Sequence, residues 1–135
     1  MNRPAIVIVT FKRQELLSQL LDSIEKSSVA PWRVVVVDNE NSAATGDIVR
    51  SFESRANAQW GTTYDDPDAE GGTSRAVYMP MEENTGGAGG FSAGVRRAYE
   101  LGAEWFWVMD DDVAIEPDGL AALARWSEES DAIMG

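Results

Sequence analysis

The sequence predicts an α/β domain of three layers, in which a mostly parallel sheet lies between helices. Two continuous β-branched runs, residues 5–10 (AIVIVT) and 34–37 (VVVV), are typical of strands that are buried on both faces. Apolar residues at helical spacing follow each run, so strands and helices alternate along the chain. This alternation predicts parallel strands joined by right-handed crossovers. Ligands of such sheets bind beyond the carboxyl ends of the strands.

The first half of the chain contains two predicted helices and an ambiguous strand. Leucine and isoleucine recur at helical spacing over residues 16–24, and apolar residues over 48–52 mark a second helix. The third strand has two candidates, residues 59–64 and residues 76–79, and the pattern leaves both open. The stretch at 65–72 is acidic and rich in turn residues, which predicts a solvated loop or insertion.

The second half repeats the strand and helix alternation. Apolar residues over 91–99 predict a third helix, and residues 120–124 predict a fourth. Between them, residues 104–109 contain the most apolar short run of the chain and predict a strand of buried aromatics. Residues 131–135 (DAIMG) have the pattern of a strand that is beginning. We therefore expect the chain to be the N-terminal part of a longer protein.

Composition excludes several classes of function. The chain has 135 residues, 44% of them hydrophobic, which is enough for one domain with its own core. Its formal net charge of −12 argues against a nucleic-acid partner, because phosphate backbones need clustered lysine and arginine. Cysteine and histidine are both absent, so any metal must be held by oxygen. No segment approaches the ~20 apolar residues of a membrane span, and we expect a soluble, cytoplasmic protein.

Three adjacent carboxylates, Asp110, Asp111 and Asp112, directly follow the strand predicted at residues 104–109. Adjacent carboxylates repel one another, and a strand end of this kind usually offers them to a cation. Ionised carboxylates are hard oxygen ligands suited to Mg²⁺ or Mn²⁺. The alternative is a solvated acidic turn that starts the next helix. The position at a strand's carboxyl end favours the functional interpretation.

A glycine-rich segment precedes the third predicted helix. Residues 84–94 (NTGGAGGFSAG) hold five of the twelve glycines. Glycine permits close backbone approach, so such a segment can bring N–H groups onto a phosphate at a helix N-terminus. The segment is not a P-loop, since no Lys-Ser or Lys-Thr follows at the required spacing, and it matches a dinucleotide fingerprint poorly. The alternative is a flexible surface loop.

The other two predicted strands also end in polar residues. Lys12 and Arg13 follow the first strand, where they either pair with a diphosphate or solvate the start of a helix. Asp38 follows the four valines, where it either accepts hydrogen bonds from a nucleoside or caps the next turn. Because parallel strands end at one edge, residues 10–13, 38–39 and 110–112 are expected to face one crevice.

Four segments together resemble family 2 glycosyltransferases, which have the Rossmann-like GT-A fold. They are VIVTFKR, VVVVDN, NTGGAGGFSAG and WVMDDDVAIEPDGL. Within the family, the resemblance is greatest to the galactofuranosyltransferases of actinobacterial cell-wall synthesis. It implies that residues 1–135 form an incomplete, nucleotide-sugar-binding half of a GT-A domain. It also places the 34–37 strand beside the 5–10 strand, with the 104–109 strand on the other flank.

Residue by residue, the resemblance implies a donor site for a UDP-sugar. Thr10 and Arg13 would lie along the nucleoside, and Asp38 would bind the uracil. Asp110 and Asp112 would be the outer pair of a DxD motif. Asp110 would face the ribose, and Asp112 would hold the Mn²⁺ or Mg²⁺ that bridges the diphosphate. The metal would serve as a Lewis acid for the departing nucleoside diphosphate.

The remaining implied donor-site residues flank this pair. Asp111 is grouped with the nucleotide-binding residues. The glycine-rich loop would lie beside the ribose and diphosphate. Its implied nucleotide-binding residues are Asn84, Gly86, Gly87, Gly89 and Gly90.

The resemblance implies an inverting, metal-dependent hexosyltransferase. It would move a galactofuranose-like sugar from a UDP-sugar to a hydroxyl of a glycan or lipid-linked glycan, in cell-wall or surface polysaccharide synthesis. The alternatives are a rhamnosyltransferase of the same family and a non-catalytic nucleotide- or metal-binding module. The catalytic base and acceptor site would lie beyond Gly135, so we expect this chain alone to be inactive. We also expect peripheral membrane association of the full-length protein, and self-association through a truncated sheet edge at residues 132–134.

Overall fold

The computed structural model describes residues 3–64 and 72–134. Strands and helices alternate throughout these residues, as the sequence predicts. In chain order the elements are β1 (Pro4–Thr10), α1 (Gln14–Glu25), β2 (Arg33–Asp38), α2 (Ala43–Trp60), β3 (Ala76–Pro80), α3 (Gly86–Leu101), β4 (Trp105–Asp110) and α4 (Gly119–Met134).

These strands form one parallel sheet in the order β3-β2-β1-β4. The predicted neighbours of β1 are therefore confirmed, with β2 on one side and β4 on the other. The register pairs Thr10 of β1 with Asp38 of β2, and Val9 of β1 with Asp110 of β4. The carboxyl ends of the three strands thus lie side by side at one edge of the sheet.

The sheet separates two apolar cores, which confirms the three-layer architecture. Successive side chains of a strand point to opposite faces. Ile6 and Ile8 enter a cluster with residues of α1 and α2, whereas Val7 and Val9 enter a second cluster with residues of α3. Fully burying side chains of this size contributes about 1.5–3 kcal/mol each relative to exposure. Burial on both faces is the reason that β1 and β2 consist of unbroken apolar runs.

Of the two candidates for the third strand, the structure selects the second. Residues 59 and 60 belong to the last turn of α2, and β3 spans Ala76–Pro80. Thr63 and Thr73 form an isolated antiparallel bridge between these elements. The predicted acidic loop at 65–72 lies, except for its last residue, outside the described residues.

The strand predicted at residues 131–135 is wrong. Helix α4 continues from Gly119 to Met134, and residue 135 lies outside the described residues. The physical reason is continuity, because residues 120–134 contain no proline or glycine that would end the helix. Residues 132–134 are therefore not a sheet edge, and self-association through a strand there has no structural basis.

In the described part of the chain, β3 and β4 are the two edge strands of the sheet. β4 is the edge beside β1. This strand pairs with β1 alone. The expectation that its aromatics are buried is wrong for Trp105 and Phe106, which are each 37% exposed, whereas Trp107 is partly buried against the core. An edge strand lacks a neighbour on one side, and the apolar run could not reveal that position. No helix within residues 3–64 and 72–134 has the length and apolar character needed to cross a membrane.

Candidate functional site

A crevice of about 420 Å³ lies at the carboxyl edge of the sheet, between the ends of β1 and β4 and the start of α3. It is the place where the parallel-sheet rule locates ligands. The crevice brings together most of the residues that the sequence singled out. Its lining residues are Val9, Thr10, Phe11, Arg13, Asn39, Asn84, Gly86, Gly87, Asp110, Asp111 and Asp112.

The three adjacent aspartates differ in their surroundings. Asp111 is 3% exposed, and its carboxylate accepts a hydrogen bond from Thr10 Oγ1 at 2.8 Å. Arg13 Nη1 donates to the other oxygen of Asp111 at 3.3 Å. Asp110 and Asp112, in contrast, are exposed on the crevice wall. Asp111 therefore joins the end of β4 to the end of β1, and its neighbours present their carboxylates to the crevice.

Arg13 and Thr10 bind Asp111 in different ways. Thr10 is buried at 2% exposure, so its hydroxyl is committed to the carboxylate. The Arg13 side chain is 54% exposed, and only one of its nitrogens contacts Asp111. A guanidinium has five N–H donors, so the rest of this group can reach a ligand in the crevice. The long, half-exposed ion pair adds little to stability.

The exposed pair suits a hard divalent cation without forming a complete cage. Within residues 3–64 and 72–134, no group of three or more acidic, histidine or cysteine side chains is arranged to hold a metal ion. Asp110 and Asp112 offer oxygen donors from one wall of an open crevice. Mg²⁺ is commonly held by one or two carboxylates together with substrate phosphates and water. Asp110 and Asp112 therefore fit such a cation, which would need a bound ligand and water to complete its coordination.

Asp38 is placed away from the crevice surface. It is fully buried, and its carboxylate accepts from the backbone N–H groups of Glu40 at 2.9 Å and Ser42 at 2.8 Å. Tyr78 donates its hydroxyl to the same carboxylate at 2.6 Å. Burial, together with this hydrogen bond to Asp38, raises the pKa of Tyr78 well above its ordinary value. In this structure Asp38 fixes the turn after β2, and the next residue, Asn39, lines the crevice instead.

The glycine-rich segment forms the first two turns of α3, and its glycines have two different surroundings. Gly86 and Gly87 line the crevice, and a Cβ at either position would meet nothing within 4 Å. Gly86 has a φ of +74°, a conformation that favours glycine. Helix α3 begins at Gly86, so the segment is the N-terminus of a helix and the alternative of a flexible surface loop is wrong. Its backbone N–H groups and partial positive charge are suited to an anion.

The later glycines pack against protein atoms and do not line the crevice. A Cβ at Gly90 would lie 2.8 Å from Val9 Cγ1, and one at Gly89 would lie 2.7 Å from Thr85 Cβ. At Gly94 a Cβ would lie 2.6 Å from a methyl of Val7. Gly90 and Gly94 let α3 approach the sheet closely, whereas Gly89 leaves room for the Thr85 side chain at the start of the helix. Gly89 and Gly90 thus support the site through packing and do not line the cavity.

Three lining residues, Val9, Phe11 and Asn39, received no individual binding role from the sequence. Of these, Phe11 and Asn39 were expected to face the crevice, because they belong to the strand ends at residues 10–13 and 38–39. Phe11 is 40% exposed, and its ring lies beneath the ammonium group of Lys12 at 5.2 Å. Asn39 contacts the start of α3 through its side-chain amide. Phe11 and Asn39 directly follow strands β1 and β2, so the rule that ligands bind beyond the carboxyl ends of parallel strands also applies to them. Period-two alternation along β2 indicates that Asn39 faces the same side as Val37 and the opposite side from Asp38, but only the facing helix α3 shows which side carries the crevice.

Comparisons with known proteins agree with this architecture. A family model described as glycosyl transferase family 2 matches residues 5–135. The chain is 33% identical over 106 residues to galactofuranosyltransferase GlfT1 of Mycolicibacterium smegmatis, a match that covers 78% of this chain and 28% of the relative. It is 32% identical over 107 residues to galactofuranosyltransferase GlfT1 of Mycobacterium tuberculosis, covering 78% and 29%. The chain thus spans less than a third of the length of these relatives.

Solved structures share the fold. Residues 1–349 of S. aureus TarS in complex with UDP superpose with a TM-score of 0.71 at 20% identity, covering 94% of this chain and 32% of that one. Mannosyltransferase PcManGT from Pyrobaculum calidifontis, in complex with GDP-Man and Mn²⁺, gives a TM-score of 0.65 at 22% identity, covering 92% and 32%. The sheet and its helices have the GT-A architecture of these enzymes. Together with the family match over nearly the whole sequence, this shows that the chain belongs to glycosyl transferase family 2.

Proposed function

We propose that this chain forms the donor-binding part of an inverting, metal-dependent glycosyltransferase. The donor is a UDP-sugar, galactofuranose-like, and the acceptor is a hydroxyl of a glycan or lipid-linked glycan in cell-wall or surface polysaccharide synthesis. Three kinds of support bear on this: the family of the chain, its identity with two galactofuranosyltransferases, and the chemistry of the crevice.

One observation carries the proposal. Exposed carboxylates of Asp110 and Asp112 and the helix N-terminus at Gly86 and Gly87 line the same crevice. The N–H of Gly86 already donates to Asn84 Oδ1 at 2.9 Å, so the N–H groups that follow it in the first turn are the ones left to an anion. A diphosphate suits the helix terminus, but it meets two uncompensated carboxylates. At ~4 Å and an effective dielectric near 20, each such contact between unit charges costs about 4 kcal/mol. A divalent cation held by these carboxylates would convert this repulsion into attraction.

The nucleoside has suitable surroundings near β1. The exposed ring of Phe11 offers an apolar face on which a base can stack. The uncommitted N–H groups of Arg13 lie beside it and suit a ribose or a phosphate oxygen. Asp38 as the uracil partner stays a prediction. Its carboxylate already accepts three hydrogen bonds, so contact with a base requires the turn after β2 to open.

The proposed metal is Mn²⁺ or Mg²⁺, held by Asp112 with Asp110 beside it. When bound, it supplies Lewis-acid stabilisation to the departing nucleoside diphosphate. We assign Asp111 no share in that role, because it is 3% exposed and its two oxygens accept from Thr10 and Arg13. The role of Asp111 is to hold the end of β4 against β1, so that its two neighbours stay on the crevice wall.

The acceptor side of the reaction is proposed to belong to polypeptide outside these 135 residues. The relatives are more than three times as long as the matched region. Among the described residues, each carboxylate at the crevice already has a proposed role. Asp112 is proposed to hold the metal, Asp110 to face the ribose, and Asp111 accepts a hydrogen bond from Thr10. None of them is therefore proposed as the catalytic base. General-base assistance typically contributes ~10² to 10⁴ in rate. We therefore expect the 135-residue chain to bind donor, with weak affinity, and not to transfer sugar to an added glycan.

The test is calorimetric titration of UDP and GDP into the 135-residue protein with Mn²⁺ present. We expect UDP to bind and GDP to bind at least tenfold more weakly. GDP preference would favour a different donor within the family, as in the mannosyltransferase complex with GDP-Man. Failure of every nucleoside diphosphate to bind would contradict the proposal. Product formation from UDP-galactofuranose at the rate of a full-length enzyme would show that the chain already contains its base.

A further inference from the structure

Asn39 connects three parts of the crevice wall. It follows the last residue of β2 and is 4% exposed. Its side-chain Nδ2 donates to the carbonyl of Gly86 at 3.1 Å, and its Oδ1 accepts from Thr85 Oγ1 at 3.2 Å. Its backbone N–H donates to the carbonyl of Thr10 at 3.0 Å. One residue therefore ties the ends of β1 and β2 to the start of α3.

The start of α3 is shaped to receive this amide. A Cβ at Gly90 would lie 3.1 Å from Asn39 Nδ2, so a side chain at Gly90 would crowd the amide. Thr85, at the N-cap position, makes no side-chain cap to its own helix. Its hydroxyl is directed to Asn39 instead. The first-turn N–H groups therefore donate no hydrogen bond to the Thr85 hydroxyl, on the side where Gly86 and Gly87 line the crevice.

We propose that Asn39 is a positioning residue for the nucleoside diphosphate, because it fixes the first turn of α3 against the ends of β1 and β2. The inference rests on the proposed function only in the choice of UDP as ligand. The role needs a donor for the Gly86 carbonyl and an acceptor for the Thr85 hydroxyl on one short side chain. Asparagine meets both needs, whereas aspartate of the same shape lacks the donor.

The first test replaces the amide. For Asn39→Ala we expect UDP affinity with Mn²⁺ to fall about tenfold, since two hydrogen bonds that order the turn are lost. We also expect amide hydrogen exchange over residues 86–90 to become about tenfold faster.

The matched control is Asn57→Ala. Asn57 bonds Ser74 and the backbone of Arg75, away from the crevice, through the same amide group. That variant should lose stability while UDP affinity stays within twofold.

The second test separates bonding from space filling. Asn39→Asp keeps the volume but opposes a carboxylate to the Gly86 carbonyl, so we expect it to bind UDP no better than Asn39→Ala. Thr85→Val removes the other bond, and we expect its effect to be less than additive with Asn39→Ala. Thr85→Val also serves as the probe if Asn39→Ala does not fold.

Three results would overturn the positioning role. They are wild-type affinity in Asn39→Asp, unchanged exchange over residues 86–90 in Asn39→Ala, and full additivity with Thr85→Val. If the wild-type protein binds no UDP, the proposed function fails. The exchange measurements then still decide whether Asn39 holds the turn.

Discussion

Two sets of aspartates at the same edge of the sheet have opposite roles. Asp38 and Asp111 are buried, and their carboxylates are occupied by protein donors. Asp110 and Asp112 are exposed on the crevice wall. The difference shows that an acidic strand end is not one functional unit. The buried carboxylates set the shape of the edge, and the exposed ones are available to a ligand.

The largest expected effect comes from the buried set. Asp38→Asn places an amide donor toward the N–H groups of Glu40 and Ser42 or toward the hydroxyl of Tyr78. Leaving a buried group unsatisfied costs about 1–3 kcal/mol, more when a charge is involved. We expect the free energy of unfolding to fall by about 3 kcal/mol or more, measured by urea denaturation. A loss below about 0.5 kcal/mol is typical of surface positions. Such a small loss would contradict the structural role of Asp38 and its difference from the exposed aspartates.

The same contrast extends to the glycines of α3. At Gly94 a Cβ would lie 2.6 Å from Val7 and 2.8 Å from Val37, whereas at Gly87 it would meet nothing within 4 Å. We expect Gly94→Ala to lower stability by about 1–3 kcal/mol, the usual cost of overpacking. Gly87→Ala should leave stability unchanged or slightly raised, while UDP affinity falls. Thermal unfolding and UDP titration of both variants check this, and equal losses of stability would contradict it.

A smaller effect concerns alkaline pH. The pKa of Tyr78 is raised in the folded protein, first by burial and then by the hydrogen bond to Asp38. A raised folded pKa contributes stability that is complete below the unfolded value of ~10 and is lost as pH rises through the folded value. Wild-type stability should therefore fall more steeply than that of Tyr78→Phe above pH ~10. If the free energy of unfolding of the two proteins changes equally between neutral and alkaline pH, the pKa of Tyr78 is not raised in the folded protein.

The smallest expected effect on stability comes from the exposed set. Asp112→Asn removes a charge that has no hydrogen-bond or ion-pair partner among residues 3–64 and 72–134, in a cluster of like charges. We expect a change within ±0.5 kcal/mol, as at other surface positions. The variant is the matched control for Asp38→Asn, since both make the same chemical change at a strand end. A loss as large as that of Asp38→Asn would show that Asp112 is structural.

The sequence was sufficient for the layers and for the location of the crevice. Apolar β-branched runs identified β1 and β2, and the strand-end rule brought residues 10–13 together with 110–112. The position of β4 at an edge of the sheet was not predictable, because it depends on which strands pair with one another. That is why the aromatics of β4 were expected to be buried. The apolar residues at 132–134 were misassigned because a short apolar run fits a strand and a helix end equally well.

Within the site, residue type alone could not separate neighbours. Asp38 points to the α2 side, where Ser42 and Tyr78 bind it, and Asn39 lies on the α3 side. Likewise Asp111 turns inward to Thr10. Adjacent residues at a strand end face opposite directions, so the choice between them needs the register and the facing helix. The local sequence contains neither.

The central claim is that a divalent cation joins the exposed aspartates to a nucleoside diphosphate. The direct measurement is UDP titration with Mn²⁺ and with EDTA, on the wild type, Asp112→Asn and Asp111→Asn. We predict that Mn²⁺ strengthens wild-type binding, that Asp112→Asn abolishes this dependence, and that Asp111→Asn retains part of it. UDP affinity indifferent to EDTA, or equal loss of the metal effect in both variants, would contradict the account.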